Sequence, residues 1–265
     1  MFSGRRRLAA ALFGVAAVVT AVLVLDGPGG TPGAPAADQG PTAGLPDPVE
    51  PAFKPTLRRP DFAAPVSRWA PVLRPVAARR HPGSARLVAR LSTSTPEGTA
   101  NIVLLQPGVH VVGGRLWVRV RLPALPNNTT GWVPRDALGG YGEVRTRLVV
   151  DRRRLTATLL RNGREIFRAP VGVGETRWPT PGGQFYVRNR LTNFDDPFYG
   201  PIAFGTSARS AVLTDWPAGG FIGIHGTNRP DLLPGRVSHG CIRMQNEDIL
   251  RLARLMPVGT PVTIR

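Results

Sequence analysis

The apolar pattern begins with an unbroken run over residues 8–25, eighteen positions without a charge, directly behind Arg5, Arg6 and Arg7. Such a run is just long enough to span a bilayer, and its positive flank stays inside. Residues 1–26 are therefore expected to be a signal peptide or membrane anchor, which delivers the rest of the chain outside the cytoplasm. A helix buried on all sides in a core is the alternative, but nothing nearby in the sequence could cover it. Ala34-Pro35-Ala36 makes a poor cleavage site because of its proline, so cleavage is left open. Residues 27–65 are mostly Pro, Gly, Ala and Asp with few large apolar residues. They cannot bury enough surface to offset chain entropy, and they read as a linker.

Beyond the linker the pattern changes to short alternating runs. Residues 116–121 (Leu-Trp-Val-Arg-Val-Arg) alternate apolar and polar, as a half-buried strand does. Residues 85–91 and 102–105 are further strand candidates, and Pro126-Asn127-Asn128-Thr129-Thr130 reads as a turn leading into Gly131-Trp132-Val133-Pro134. Residues 66–140 are expected to form a small β domain. A second β-rich unit is expected over 144–265, with strands at 147–151, 155–160, 184–188, 211–213, 221–225 and 262–264, and a tight hairpin at Asn162-Gly163. One helix is convincing, Asn246–Leu255, with Asn246 read as its N-cap and Pro257-Val258-Gly259 as its stop. No strand–helix–strand alternation is present, so the expected class is mainly β with one or two short helices, and a doubly wound α/β sheet is not expected.

Charge adds a possible partner without fixing it. There are 34 basic and 17 acidic residues, a net charge of +17, and Lys54 is the only lysine. A field of that sign attracts any polyanion, including an anionic cell-wall polymer or membrane surface. No tract of basic residues interleaved with aromatics and no nucleic-acid motif occurs, so no nucleic-acid partner is expected.

The candidate chemistry sits in two short words, Ile222-Gly223-Ile224-His225-Gly226-Thr227 and Ser238-His239-Gly240-Cys241-Ile242-Arg243-Met244. Cys241 is the chain's single cysteine, so no internal disulfide can form. A thiol becomes a useful nucleophile only when a base takes its proton, and a neighbouring histidine and arginine favour that. Glycines beside it allow a tight turn whose N–H groups could face an oxyanion. Two other readings remain open on the residues alone: a buried structural thiol, or a zinc site made by His239, Cys241 and His225.

The words "IGIHGT…SHGCIRM" closely resemble the catalytic domain of L,D-transpeptidases of the YkuD type, in which a histidine precedes a Ser/Thr-His-Gly-Cys word. The upstream stretch "VGVGETRWPTPGGQFYV", residues 171–187, resembles that family's glycine-rich entry. The resemblance covers residues 144–264 and implies a β-sandwich catalytic domain. It also implies Cys241 as nucleophile, His225 as general base, Gly226 as the backbone orienter of that base, and His239 and Gly240 as oxyanion-hole positions with Cys241. Arg243, Gly220, Phe221 and Tyr199 fall at expected substrate contacts, and residues 188–200, with Phe194, Asp195, Asp196 and Phe198, at a flap or plain loop. The family acts on peptidoglycan stem peptides through a thioester, needs no cofactor or metal, and accepts carbapenem-type inhibitors. L,D-carboxypeptidase action, a zinc-dependent peptidoglycan hydrolase and an inactive wall-binding module are the competing functions. The word "GrlWvrVrl…tGWVp" in the first β unit resembles the small bacterial SH3-like barrel.

Overall fold

The computed structural model describes residues 65–192, 197–214 and 220–265. The expected export segment and residues 27–64 of the linker lie outside the described residues, as do Phe194, Asp195 and Asp196. Among the described residues no helix is long and apolar enough to cross a membrane.

The fold is mainly β and sandwich-like. The first sheet contains β1 (Ser67–Pro71), β2 (Val76–Arg79), β3 (Leu87–Leu91), β4 (Ile102–Val112), β5 (Arg115–Arg121), β6 (Thr130–Pro134) and β7 (Gly142–Val144), in the order β3-β2-β6-β5-β4-β1-β7. Its alternating strand β5 buries Trp117, Val118 and Val120, and Val118 and Val120 join Val103, Leu105 and Val133 in a separate small core. The sheet runs past the expected boundary at 140, because β7 pairs with β1 at Ser67–Val144. The sequence hid this strand behind Gly139 and Gly140. Gly142 is required there, since a side chain would run into the indole of Trp69.

The second sheet has ten strands: β8 (Thr146–Asp151), β9 (Thr156–Arg161), β10 (Arg164–Pro170), β11 (Gly172–Gly174), β12 (Gly183–Thr192), β13 (Ile202–Arg209), β14 (Phe221–His225), β15 (Gly235–Ser238), β16 (Ile242–Arg243) and β17 (Pro261–Ile264). The β9–β10 hairpin turns at Asn162 and Gly163, whose φ values of 50° and 79° are those of the expected two-residue loop. The strand expected at 211–213 does not form. Ser210 Oγ instead accepts the N–H groups of Val212 and Leu213 at 3.3 and 3.0 Å, which holds the chain in a turn. The real strand, β13, lies just upstream and is buried on nearly its whole length.

The one α-helix among the described residues, α1 (Asn246–Leu255), buries Ile249, Leu252 and Ala253 against the large core. Its N-cap is Gln245, not Asn246. The Asn246 side chain is committed elsewhere, accepting the Thr227 N–H at 2.9 Å.

Both sheets lie within one compact unit and are bolted together by specific contacts. Buried Tyr186 of β12 packs with Ile102 and Leu104 of β4 and donates its hydroxyl to the Ile102 carbonyl at 3.0 Å. Burial pushes its phenol above the usual range. Asn127, read as a turn residue, bonds Arg209 through both of its side-chain atoms: Nδ2 donates to the carbonyl at 2.7 Å and Oδ1 accepts the N–H at 3.0 Å. Asn128, with φ 68°, accepts the Gln184 N–H at 2.6 Å. The turn is thus a clamp between the sheets.

Candidate active site

The site is built where β14 and β16 run parallel, with Ile224 opposite Ile242 and His225 opposite Arg243. Continuing that register places Gly223 beside Cys241, which precedes β16. Along β14 the side chains alternate: Ile222 and Ile224 enter the core, while Phe221, Gly223 and His225 take the other face. A Cβ on Gly223 would lie 3.6 Å from His225 Cδ2 and 3.8 Å from Cys241 Sγ. The glycine therefore sits between imidazole and thiol, and its N–H donates to Sγ at 3.4 Å.

His225 is 1% exposed, and its Nδ1 bonds the Gly226 carbonyl at 2.6 Å, which makes Nδ1 the protonated nitrogen. The other nitrogen, Nε2, is buried and has no hydrogen-bond partner among the described residues. An orphaned buried acceptor costs about 1–3 kcal/mol, so the fold keeps this lone pair free against its own stability. Burial lowers the His225 pKa to about 4, with Arg243 lowering it further and the Gly226 bond raising it. Burial also pushes the Cys241 thiol up, against the opposing pull of the Gly223 N–H and Arg243. The resting pair is therefore a neutral imidazole and a neutral thiol, not an ion pair.

Two polar side chains, exposed Asn246 and buried Thr180, hold these groups in place. Asn246 Oδ1, by binding Thr227, fixes the segment that follows His225, and no side chain fits at Gly226 without striking Asn246. Thr180 accepts the Gly174 N–H at 2.8 Å and donates to the Gly240 carbonyl at 2.7 Å, tying the glycine-rich stretch to the cysteine turn. Gly240 has φ 115°, a conformation that favours glycine. Its N–H donates to Ser238 Oγ at 3.1 Å, and Ser238 donates in turn to the Cys241 carbonyl at 2.6 Å. The Gly240 N–H that the sequence assigned to an oxyanion hole is thus occupied by Ser238. Sequence reading quoted Thr180 and Asn246 within its motifs but gave neither this role; a polar residue at a buried position was the available signal for Thr180, while Asn246, which is exposed, read only as a helix cap.

A cavity opens over Cys241, lined by Arg243, His239, Phe198, Tyr199, Gly220 and Phe221 among others. All four expected substrate contacts therefore reach the same space, and His225 lies buried beside it. Tyr199 and Phe198 pack on the His225 ring at centroid distances of 5.1 and 5.9 Å. The His239 ring lies 4.0 Å from that of Trp178. Gly220, at φ 72°, allows the close approach to the Leu213 carbonyl that a side chain would block. Arg243 is 7% exposed, lies 4.4 Å from the centre of the Phe198 ring, and has a buried Nε without a partner among the described residues. Among the described residues no group of three His, Cys, Asp or Glu side chains converges as a metal site would require.

The YkuD family model, L,D-transpeptidase catalytic domain, matches residues 145–264. The YkuD protein of Bacillus subtilis is 40% identical over 109 residues, which cover 41% of this chain and 59% of that protein. The YkuD protein of Bacillus licheniformis is 36% identical over 118 residues, covering 44% and 64%. The chain thus spans less than two thirds of the length of either relative. A structure of L,D-transpeptidase 3 from Mycobacterium tuberculosis with a faropenem-derived adduct is 18% identical, covers 62% of this chain and 91% of that one, and has a TM-score of 0.39. The family match and the two Bacillus relatives together support a YkuD-type L,D-transpeptidase catalytic domain in residues 145–264.

Proposed function

We propose that the protein is an exported L,D-transpeptidase that acts on peptidoglycan stem peptides through a thioester at Cys241 and forms 3→3 cross-links. The observation that carries this reading is the free, buried Nε2 of His225, fixed by the Nδ1 bond to Gly226 and separated from Cys241 only by Gly223. A neutral imidazole of this tautomer can take one proton, at Nε2, and in this setting the thiol is the group that gives it.

The cycle then follows. As Cys241 Sγ attacks the carbonyl carbon of the third residue of a tetrapeptide stem, its proton passes to His225 Nε2. Because the resting pair is neutral, transfer accompanies attack. The tetrahedral oxyanion is met by main-chain N–H groups of the turn at His239 and Cys241, while that of Gly240 serves the oxyanion only if Ser238 releases it. The carbon–nitrogen bond breaks, the imidazolium returns the proton to the departing D-alanine amine, and a thioester remains. An amine from a second stem attacks the thioester, loses its proton to Nε2, and expels the thiolate, which takes that proton back from Nε2 and restores the neutral pair. Water in place of that amine gives L,D-carboxypeptidase action at the same site. Arg243, charged and short of partners at Nε, binds a substrate carboxylate, and Gly220, Phe221 and Tyr199 line the donor's path. Residues 1–26 export the chain, residues 66–144 form an SH3-like module, and the net positive charge holds the enzyme near anionic wall or membrane surfaces.

The test is intact-protein mass spectrometry after incubation with a carbapenem, whose strained carbonyl can replace that of the stem. One adduct of the drug's mass on the Cys241 peptide is expected, absent from Cys241→Ala, together with loss of 3→3 muropeptides in cells that carry Cys241→Ser. An unmodified protein whose thiol still reacts with iodoacetamide would overturn the acyl-transfer reading. A zinc content that tracks with activity, and loss of activity on chelation, would favour the hydrolase instead.

A further inference from the structure

The first sheet approaches the wall of the Cys241 cavity through residues 92–101, the loop between β3 and β4. Glu97 on this loop receives Arg188 Nη2 at 2.8 Å on one carboxylate oxygen and Asn189 Nδ2 at 3.1 Å on the other. Thr95 and Thr99 of the same loop accept from Asn189 Nδ2 at 3.3 and 3.0 Å, so the loop is gripped by two adjacent residues of β12. The ion pair is shielded, with side-chain exposures of 2% for Arg188 and 16% for Glu97. Arg188 also donates from Nε to the Thr206 carbonyl at 2.9 Å. With both ends fixed, its guanidinium carbon stands 3.6 Å from the centre of the Phe221 ring, and Phe221 faces the cavity that holds Cys241. A second cation, Arg209, lies 5.0 Å from the same ring, and its backbone is the one Asn127 clamps.

We propose that Glu97 is a positioning residue for the catalytic site: it holds Arg188 against Phe221 and so fixes the wall along which an acyl donor lies beside Cys241. The first sheet is then part of the active site's construction and not a spacer. The physics is directional. A guanidinium this deeply buried stays where its anion is, and a cation set against an aromatic face fixes the ring as well as itself. Without the carboxylate, Arg188 is left as a buried unpaired charge, moves toward water or another acceptor, and withdraws the support from the ring. Small displacements of a wall that orients the reacting carbonyl cost rate out of proportion to their size.

For acylation this rests on the acyl-transfer reading, so the test reads Cys241 in two ways. Glu97→Gln, which keeps shape but not charge, and Glu97→Asp are compared with wild type for carbapenem acylation and for alkylation of Cys241 by iodoacetamide and by the bulkier N-phenylmaleimide. The expected result for Glu97→Gln is carbapenem acylation slowed by roughly ten- to a hundredfold, iodoacetamide alkylation within about twofold, a changed ratio of phenylmaleimide to iodoacetamide rates, and partial recovery in Glu97→Asp. If Glu97→Gln does not stay folded, the pair Glu97→Leu with Arg188→Met removes both charges together and is expected to show the same selective loss. Carbapenem rates and alkylation ratios equal to wild type in a folded variant overturn the proposal. A wild-type protein that resists the carbapenem counts against acyl transfer alone, and the alkylation ratio then decides the role of Glu97 by itself.

Discussion

Two arginines face phenylalanines of the same cavity and are treated in opposite ways. Arg188, behind Phe221, has a carboxylate on Nη2 and a carbonyl on Nε. Arg243, beside Phe198, is nearly as buried, yet its Nε has no partner among the described residues. His225 stands on the Arg243 side and shows the same trait, with Nδ1 bonded and Nε2 bare. One wall is satisfied and the other is left incomplete. A buried polar atom without a partner is costly, so its persistence needs a reason, and a bound substrate supplies one. Full satisfaction points to support; incompleteness points to chemistry.

Breaking the incomplete side at His225 is expected to have the largest effect. His225→Ala removes the proton acceptor assigned to the thiol and should slow acylation by ~10²–10⁴-fold; because it also truncates a buried side chain and takes the donor from the Gly226 carbonyl, the rate is compared on protein shown to be folded. His239→Ala keeps its backbone donor and loses only the ring packed on Trp178, so it should lose less. Single-turnover acylation rates settle the order, and the reverse order would make His239 the base.

The arginine pair can then be compared directly. Arg188→Gln leaves Glu97 buried without its cation and is expected to destabilise the fold by about 3–5 kcal/mol, read by denaturant unfolding. Arg243→Gln should scarcely move stability, and should instead raise KM for a stem tetrapeptide by roughly ten- to a hundredfold through a lost charge-assisted bond. Equal stability losses in the two variants would dissolve the contrast between the walls.

The sequence made one of these walls legible and left the other hidden. The words around His225 and Cys241 are local, and their glycines, histidines and thiol announce a site through residue type alone. Alternation in Phe221-Ile222-Gly223-Ile224-His225 even foretells which residues share the cavity face. By contrast, Arg188 and Glu97 are 91 positions apart and belong to different sheets, so nothing in either neighbourhood announces their pairing. Asn127 and Asn128 looked like turn residues, and they are, but the turn's use as a clamp depends on Arg209 and Gln184, which only folding brings near. The strand expected at 211–213 failed for a subtler reason, because Ser210 offered the backbone an alternative partner that periodicity does not register. The N-cap position falls to Gln245, whose side chain makes no capping bond, for a related reason, since Asn246 has a distant use for its oxygen.

Acid should expose the incomplete side through stability as well as rate. The His225 pKa is lowered from 6.5 to about 4 in the folded protein, so between those values the unfolded chain binds the proton and the folded one does not. Stability from the neutral buried ring is complete above pH 6.5 and is lost as pH falls toward 4. At about 1.4 kcal/mol per pH unit, that loss approaches roughly 3 kcal/mol over the whole window. Unfolding free energies measured at pH 7 and pH 4.5 for wild type and His225→Gln should differ in slope, with the variant flatter. Parallel slopes would mean that His225 is not held neutral.

The smallest effect tests whether a satisfied group on the incomplete side is a support too. Asn246 begins α1, yet its Oδ1 is spent on the Thr227 N–H, one residue beyond the carbonyl that orients His225. In Asn246→Ala the Thr227 N–H loses its acceptor, at an expected cost of about 1–2 kcal/mol, and the Gly226 carbonyl is less firmly placed. Imidazole tautomer and orientation then loosen while Nε2, Cys241 and the cavity lining all remain. The expected result is a severalfold fall in kcat for acylation with little change in KM, well short of the loss in His225→Ala. Asn246→Asp keeps an oxygen acceptor and should recover most of it. A substitution that lowers stability while leaving the acylation rate intact would place Asn246 with the helix alone, and would show that Gly226 holds the base without help from its neighbour.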